Sequence, residues 1–262
     1  MKIALCFSGQ LRTGPQCAEN ILRYLGDLKD SCDVFVHTWD VRSEPTAANY
    51  QFIPVEKQVF NDFYSAYNPI AMVVEPYNLR PLSNLWSGYR VDPATGRHII
   101  GMFEGIYEAN QLKALHEQKH NFTYDYVVRI RPDTVFHPSK RLADDLQLIV
   151  NNQMFVYGAH HGDFGMSRLE DIFWIGPSWV MDQLATFYEV RANSLFCGNV
   201  HSHTYVDWQF HMANWVRDGL GLQFRALDNN YMRIYYLSDI ARGIDPMNPN
   251  FGNPPGKAGS WN

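Results

Sequence analysis

Two arginines and one aspartate at the end of an apolar segment are the residues of this chain best suited to chemistry. The apolar residues 126–128 indicate a buried strand, and Pro132, which has no amide hydrogen to donate, should end it. Arg129, Arg131 and Asp133 therefore belong to the carboxyl end of that strand, where open α/β sheets bind ligands. Guanidinium groups hold anions, and a carboxylate accepts a metal ion or a hydroxyl. A structural ion pair among the three side chains fits the sequence equally well.

A second anion-binding pattern lies near the start of the chain. Residues 8–14 form a loop between a predicted strand and a helix that Pro15 should open. The amino end of a helix attracts anions, so Gln10 and Arg12 are predicted to hold a diphosphate. The alternative is a surface turn with a solvated arginine. The loop matches neither the ATPase phosphate loop nor the glycine motif of dinucleotide dehydrogenases, which argues against both classes.

Four more side chains are candidates for ligand binding. Trp39 and Asp40 close the second predicted strand, where an indole stacks on a base or sugar and a carboxylate accepts ribose hydrogen bonds. A core tryptophan and a loop-capping aspartate are the alternative. Asn110 and Lys113 are three residues apart on a strong predicted helix, so they are surface neighbours. They are predicted to reach a sugar-phosphate, and a solvated lysine is the alternative.

Asp171 is the candidate general base. It precedes the very apolar segment 172–175 in a region bounded by glycines. We expect a carboxylate at the edge of such an apolar segment to act as a general base. A turn-forming or helix-capping acid is the alternative.

Alternating strands and helices should position these residues. Strands are predicted at 2–7, 33–38, 71–75, 126–131, 153–157, 171–175 and 223–226, and helices at 15–28, 55–67, 101–120, 178–190 and 206–218. A long surface loop is expected at 78–98 and a poorly packed tail from 243. This order predicts an α/β fold with a mainly parallel sheet flanked by helices, a Rossmann-related nucleotide-binding half and an acceptor-side region.

Composition excludes some classes of function. The chain has 262 residues, a formal net charge of −5 and no basic run, which argues against a nucleic-acid binder. No transmembrane segment is visible, and the first apolar stretch is too short for a signal peptide. Four cysteines without a CxxC pair indicate free thiols. We therefore expect a cytoplasmic protein, either free or at the inner face of a membrane.

Four segments in order resemble small GT-A-type glycosyltransferases of bacterial and large-virus polysaccharide gene clusters. They are residues 2–12 (KIALCFSGQLR), 33–39 (DVFVHTW), 124–133 (YDYVVRIRPD) and 171–176 (DIFWIG). The similarity covers about residues 1–240. It implies one GT-A-like domain at 1–242, with a nucleotide-sugar half at 1–135, an acceptor half at 136–242 and a loosely ordered tail at 243–262.

The resemblance also implies how the donor is held. Asp133 occupies the place of the last acid of the family's Asp-x-Asp signature, which holds Mn²⁺ or Mg²⁺ on the donor diphosphate. Arg131 replaces the first acid, so either a metal on Asp133 or the arginines themselves neutralise the leaving diphosphate.

The predicted function is glycosyl transfer by a hexosyl- or pentosyltransferase. The partners are a nucleoside-diphosphate sugar and a hydroxyl of a glycan or lipid-linked acceptor, in surface polysaccharide synthesis. Asp171 and Asp133 are the predicted catalytic residues. The binding residues are Gln10, Arg12, Trp39, Asp40, Asn110, Lys113, Arg129 and Arg131. A sugar nucleotidyltransferase and a catalytically inert nucleotide- or sugar-binding protein are the alternatives.

Overall fold

The structure is a computed structural model that describes most of the first 150 residues and parts of the rest. The described residues are 1–45, 50–77, 93–150, 155–159, 169, 171–189, 212–227, 232–234, 240, 245 and 247. In chain order the strands are β1 (Ile3–Ser8), β2 (Cys32–Trp39), β3 (Val41–Pro45), β4 (Tyr50–Pro54), β5 (Ala71–Glu75), β6 (Tyr126–Ile130), β7 (Thr134–Phe136), β8 (Phe155–Ala159), β9 (Phe173–Pro177), β10 (Gln223–Leu227) and β11 (Met232–Ile234). The α-helices are α1 (Gly14–Leu25), α2 (Lys57–Tyr67), α3 (Pro93–His120), α4 (Leu142–Val150) and α5 (Ser178–Ala185).

A seven-stranded sheet in the order β10-β8-β9-β6-β1-β2-β5 forms the centre of the described structure. Six of these strands run in one direction, and β9 pairs antiparallel with both of its neighbours. Two short antiparallel pairs, β3 with β4 and β7 with β11, lie outside this sheet. The predicted α/β fold with a mainly parallel sheet flanked by helices is confirmed.

The chain reverses its direction of strand addition at β1. From β1 it proceeds to β2 and β5 on one side, and it then returns to place β6 on the other side of β1. The connections on either side of such a point leave the sheet towards opposite faces and open a crevice at the carboxyl ends of the strands. The loop after β1 and the segment after β6 therefore meet at this crevice.

Each face of the sheet is covered by its own hydrophobic core. On one face the alternate β1 residues Ile3, Leu5 and Phe7 pack with side chains of α1, α2 and α4. On the other face Ala4 and Cys6 pack with side chains of α3 and α5. Period-two alternation in a strand covered on both sides produces this division.

Local residue chemistry explains where several helices begin and end. Pro15 lies in the first turn of α1, where its missing amide hydrogen costs no helical hydrogen bond. Asn68 ends α2 in the left-handed conformation with φ of 44°, and Asn121 follows α3 with φ of 51°. Asparagine adopts this conformation more readily than most residues because its short polar side chain bonds locally.

Several element predictions need correction. Helix α3 begins at Pro93, so residues 93–98 of the predicted loop are helical; a proline at a helix start was mistaken for a loop residue. Helix α1 ends at Leu25 and continues as a 3₁₀ helix, Gly26–Ser31. Strand β9 begins two residues later than predicted, and α5 ends at Ala185. Residues 153–154 of the predicted fifth strand lie outside the described structure.

The sequence patterns did not predict β3, β4, β7, α4 or β11. Residues 212–214 of the predicted late helix are α-helical and a π-helical turn follows at Trp215–Gly219, whereas residues 206–211 lie outside the described structure. The predicted loop at 78–92 also lies outside it, as does the predicted tail apart from residues 245 and 247. Within the described ranges, no helix combines the length and the apolar character needed to cross a bilayer.

Candidate active site

The loop after β1 and the segment after β6 meet closely at the crevice. Gly9 has φ of 124°, a backbone conformation that side chains with a Cβ rarely adopt. Pro132 packs against this loop: a Cβ on Gly9 would lie 3.7 Å from its Cδ, and a Cβ on Gly14 would lie 3.2 Å from its Cβ. The glycines therefore allow the residues on either side of Pro132 to reach the loop that carries Gln10 and Arg12.

Asp133 is the centre of the site, and its carboxylate is fully buried. Arg131 donates from Nε to Oδ1 of Asp133 at 3.0 Å and from Nη2 to Oδ2 at 2.9 Å. Arg12 donates from Nη1 to the same Oδ2 at 3.2 Å. Burial by itself raises the pKa of Asp133, but the two guanidiniums outweigh it and hold the pKa below its ordinary value. Asp133 is therefore an ionised carboxylate with both oxygens engaged by arginine.

Arg12 is fixed by a residue that sequence reasoning missed. Ser43, a buried residue of β3, accepts a hydrogen bond at Oγ from Arg12 Nη2 at 2.9 Å. The amide oxygen of Gln10 accepts from Arg12 Nε at 3.1 Å and from the backbone N–H of Ser43 at 2.6 Å. The β3–β4 hairpin thus completes the site, and no motif around Ser43 indicated this role.

Asp171 joins the same cluster through Arg131. Strand β9 runs antiparallel to β6, and Phe173 pairs with Ile130, so the residues before β9 lie at the carboxyl edge of β6. Arg131 donates from Nη1 to Oδ2 of Asp171 at 3.3 Å. The other oxygen, Oδ1, has no hydrogen-bond partner among the described residues. Asp171 therefore lies beside the arginines with one oxygen available.

Arg129 is buried at the edge of the α3–α5 core. Its Nε donates to Ser8 Oγ at 2.9 Å, its guanidinium lies 5.1 Å from the centre of the Trp174 ring, and its Nη1 has no partner within the described structure. Burial lowers the pKa of Arg129 to about 9, and the charge of Asp171 opposes this shift. The adjoining cavity of about 10 Å³ has room for one water molecule and is too small for a phosphate group. Arg129 therefore contributes to the site through its charge.

The described part of the cluster is rich in positive groups. It brings together three guanidiniums (Arg12, Arg129 and Arg131) and two carboxylates (Asp133 and Asp171). About a fifth of the side chains of Arg12 and Arg131 is exposed, 22% and 20% respectively. An anion that approaches this edge therefore meets accessible guanidinium groups.

Trp39 and Asp40 lie at the carboxyl edge of the neighbouring strand, in structural contacts. Trp39 is buried, and its ring packs edge-on against the rings of His37 at 4.9 Å and Tyr77 at 5.5 Å. Asp40 Oδ1 accepts the backbone N–H of Tyr77 at 2.8 Å. These contacts favour the alternative interpretation of a core tryptophan and a loop-capping aspartate.

Lys113 and Asn110 bond to partners outside the cluster, although Asn110 also lines the small cavity beside Arg129. Lys113 is fully buried between α3 and α5, where its Nζ lies 2.7 Å from Ser178 Oγ, 2.9 Å from Glu117 Oε2 and 2.8 Å from Asp182 Oδ1. Asn110 donates to the same Asp182 oxygen at 2.9 Å. Ser178 follows Pro177, which pairs with the first residue of β6, so this network lies towards the amino ends of the strands. The predicted contact of these two residues with a sugar-phosphate has no support from this placement.

The contacts of Asp133 do not fit a divalent cation. Mn²⁺ and Mg²⁺ take oxygen ligands, and both carboxylate oxygens of Asp133 already accept hydrogen bonds from guanidinium groups. The described residues contain no group of three or more histidine, cysteine, aspartate or glutamate side chains arranged to hold a metal. The predicted metal site therefore has no complete set of ligands in the part of the chain that the structure describes.

Comparison with known proteins gives distant likenesses among solved structures. No family model and no curated protein matches the chain. A solved structure similar to it is mouse xyloside xylosyltransferase 1 in its apo form, with 9% identity and a TM-score of 0.44 over 87% of this chain and 84% of the mouse chain. At this level of similarity the likeness carries no weight for function, which we argue from the site.

Proposed function

We propose that this protein is a glycosyltransferase that moves a sugar from a nucleoside-diphosphate sugar to a hydroxyl of a glycan or lipid-linked acceptor. The observation that carries the proposal is the pair of partly exposed guanidiniums, Arg12 and Arg131, at the crevice where the strand order reverses. Crevices of this kind bind ligands in open α/β sheets, and a diphosphate is an anion that guanidinium groups hold well. The hexosyl or pentosyl type and a role in surface polysaccharide synthesis remain predictions from the sequence.

Arg12 and Arg131 hold the diphosphate in this proposal, and Arg129 adds a positive charge behind them. Charge builds up on the diphosphate as its bond to the sugar breaks, so positive groups fixed beforehand stabilise the transition state. Gln10 and Ser43 hold Arg12 in place, and Asp133 orients both arginines.

Asp171 is the proposed general base of an inverting reaction. The acceptor oxygen attacks the anomeric carbon, the bond from that carbon to the diphosphate oxygen breaks, and the hydroxyl proton passes to Asp171. Its unpaired Oδ1 beside the arginines suits this role. The products are the glycosylated acceptor and a nucleoside diphosphate.

A nucleotide screen tests the donor site. Thermal unfolding is measured with UDP, GDP, CDP, dTDP and their sugars, since a ligand that binds only the native state raises the apparent stability by mass action. We expect one nucleoside diphosphate to raise the Tm in a concentration-dependent manner, and its sugar to be hydrolysed slowly with release of the nucleoside diphosphate. Release of pyrophosphate would instead indicate a nucleotidyltransferase, and binding without any turnover would indicate an inert binding protein.

The variant Asp171→Asn tests the base. We expect turnover to fall by about 10²–10⁴-fold with nucleotide affinity and folding preserved. The exposed Asp27 provides the matched control, since Asp27→Asn makes the same chemical change away from the site. Near-normal turnover in a folded Asp171→Asn protein would remove Asp171 from this role.

A further inference from the structure

The buried carboxylate of Asp133 serves as an anchor for arginines. Three hydrogen bonds, two from Arg131 and one from Arg12, occupy its two oxygens, and the carboxylate has no exposure to solvent. Three of its roughly four acceptor positions are filled, so a metal ion would have to enter a buried site and compete there with the guanidiniums.

The surrounding charges act against a cation as well. Asp171, the other carboxylate of the cluster, already accepts a hydrogen bond from Arg131. A divalent ion placed between the two carboxylates would lie among the guanidiniums of Arg12, Arg129 and Arg131, which repel it.

Arg12 retains donors for a ligand. A guanidinium has five N–H groups, and Arg12 uses three of them, towards Gln10, Ser43 and Asp133. The remaining two N–H groups belong to a side chain that is 22% exposed. Phosphate oxygens are the acceptors that a guanidinium fork matches best.

We infer that Arg12 and Arg131, held by Asp133, neutralise the diphosphate of the ligand directly, and that the site binds it without a divalent cation. This inference rests on the proposed function for the identity of the ligand. It assigns Asp133 as a positioning residue instead of a metal ligand.

Binding measurements on the wild-type protein test the inference. Pyrophosphate and the nucleoside diphosphate selected by the screen are titrated by calorimetry in EDTA and again in Mn²⁺, with correction for the complex that Mn²⁺ forms with each ligand in solution. We expect dissociation constants that agree within about threefold between the two conditions. Binding at least tenfold tighter in Mn²⁺, or absent in EDTA, would overturn the inference, and so would the absence of pyrophosphate binding in both conditions.

A matched pair of variants distinguishes the arginine fork from general positive charge. Arg131→Lys keeps the charge and loses the two-pronged geometry, so we expect pyrophosphate to bind at least tenfold more weakly in EDTA. Arg217, which is exposed and paired with Asp218, provides the control, since Arg217→Lys should leave binding unchanged. Equal affinities in the two variants would contradict the inference.

The outcomes separate this inference from the proposed function. Pyrophosphate binding in EDTA without binding or turnover of any nucleotide-sugar would uphold the arginine site and refute glycosyl transfer. Sugar transfer that depends on Mn²⁺ would uphold glycosyl transfer and refute the metal-free arginine site. Mn²⁺ is also titrated directly, with electron paramagnetic resonance as the readout. We expect no tight Mn²⁺ site in the wild type. A tight site that is lost in Asp133→Asn would contradict the inference.

Discussion

The substitution Asp133→Asn keeps the size of the buried side chain and removes its charge. Arg131 would lose the partner of two hydrogen bonds at 3.0 and 2.9 Å, and Arg12 would lose one at 3.2 Å. The amide nitrogen of asparagine is also a donor, so it cannot replace the second carboxylate oxygen. Both guanidiniums would therefore lose the counter-charge that they share, and Arg131 would keep only its bond to Asp171 at 3.3 Å.

The expected cost follows from the burial of the three groups. Removing one partner of a buried ion pair costs about 3–5 kcal/mol. Arg12 and Arg131 keep 22% and 20% of their side chains exposed, so water offsets part of this loss. We expect a decrease of about 3 kcal/mol in the free energy of unfolding, since the lower end of the range applies. For a chain of this size the Tm should fall by about 6–12 °C.

Urea denaturation at pH 7 measures this change. The midpoint should shift to lower urea with an unchanged slope, because the surface exposed on unfolding stays the same. The control Asp27→Asn replaces an exposed aspartate and should change the stability by no more than about 0.5 kcal/mol. A loss of less than about 1 kcal/mol in Asp133→Asn would refute the buried arginine network.

Three further predictions concern the pH dependence, the second polar network and the hairpin. The pKa of Asp133 is below its ordinary value of 3.8 in the folded protein, so its stabilising contribution is complete above that value and is lost on further acidification. The stability difference between wild type and Asp133→Asn, taken from urea midpoints, should therefore stay constant from about pH 7 to 5 and shrink below about pH 4. A difference that grows on acidification would contradict an ionised, stabilising Asp133. Lys113→Met should lower the free energy of unfolding by about 3 kcal/mol, because Glu117 and the partly exposed Asp182 lose their buried cation. Calorimetry should show nucleotide affinity within about twofold of wild type. A selective loss of affinity would restore the binding role predicted from the sequence. Ser43→Ala should weaken nucleotide binding by about five- to tenfold, because Arg12 loses a hydrogen bond that orders it. Ser43→Thr keeps the hydroxyl and should retain most of the wild-type affinity. Equal affinities in both variants would exclude a positioning role for the hydroxyl.

The strands of the sheet could be predicted because short apolar runs rich in β-branched and aromatic residues favour buried strands. The predicted strand at Ala71–Glu75 matches β5, and the predicted strands at the start of the chain and at Tyr126 match β1 and β6 to within a residue or two. Strand order could not be read from these runs. The reversal at β1 depends on pairing between segments more than 120 residues apart.

Local patterns also failed where a residue acts through distant contacts. Ser43 lies on a hairpin whose short strands have no marked alternation, and its role depends on a hydrogen bond to an arginine 31 residues away. Lys113 was predicted to reach a sugar-phosphate because it lies three residues from Asn110 on the same helix. The structure buries it because Glu117, Ser178 and Asp182 converge on its ammonium group.

The sequence by itself determined the strand–helix alternation, the strand end that carries Arg131 and Asp133, and the loop that carries Gln10 and Arg12, because hydrophobic period and the chemistry of proline and glycine act over a few residues. Only the tertiary structure decided that Asp133 binds arginines, that Asp171 lies beside them and that Asn110 and Lys113 belong to a separate network. A carboxylate has the same composition whether it faces a metal, water or a guanidinium, and the neighbours that decide between them come from remote parts of the chain.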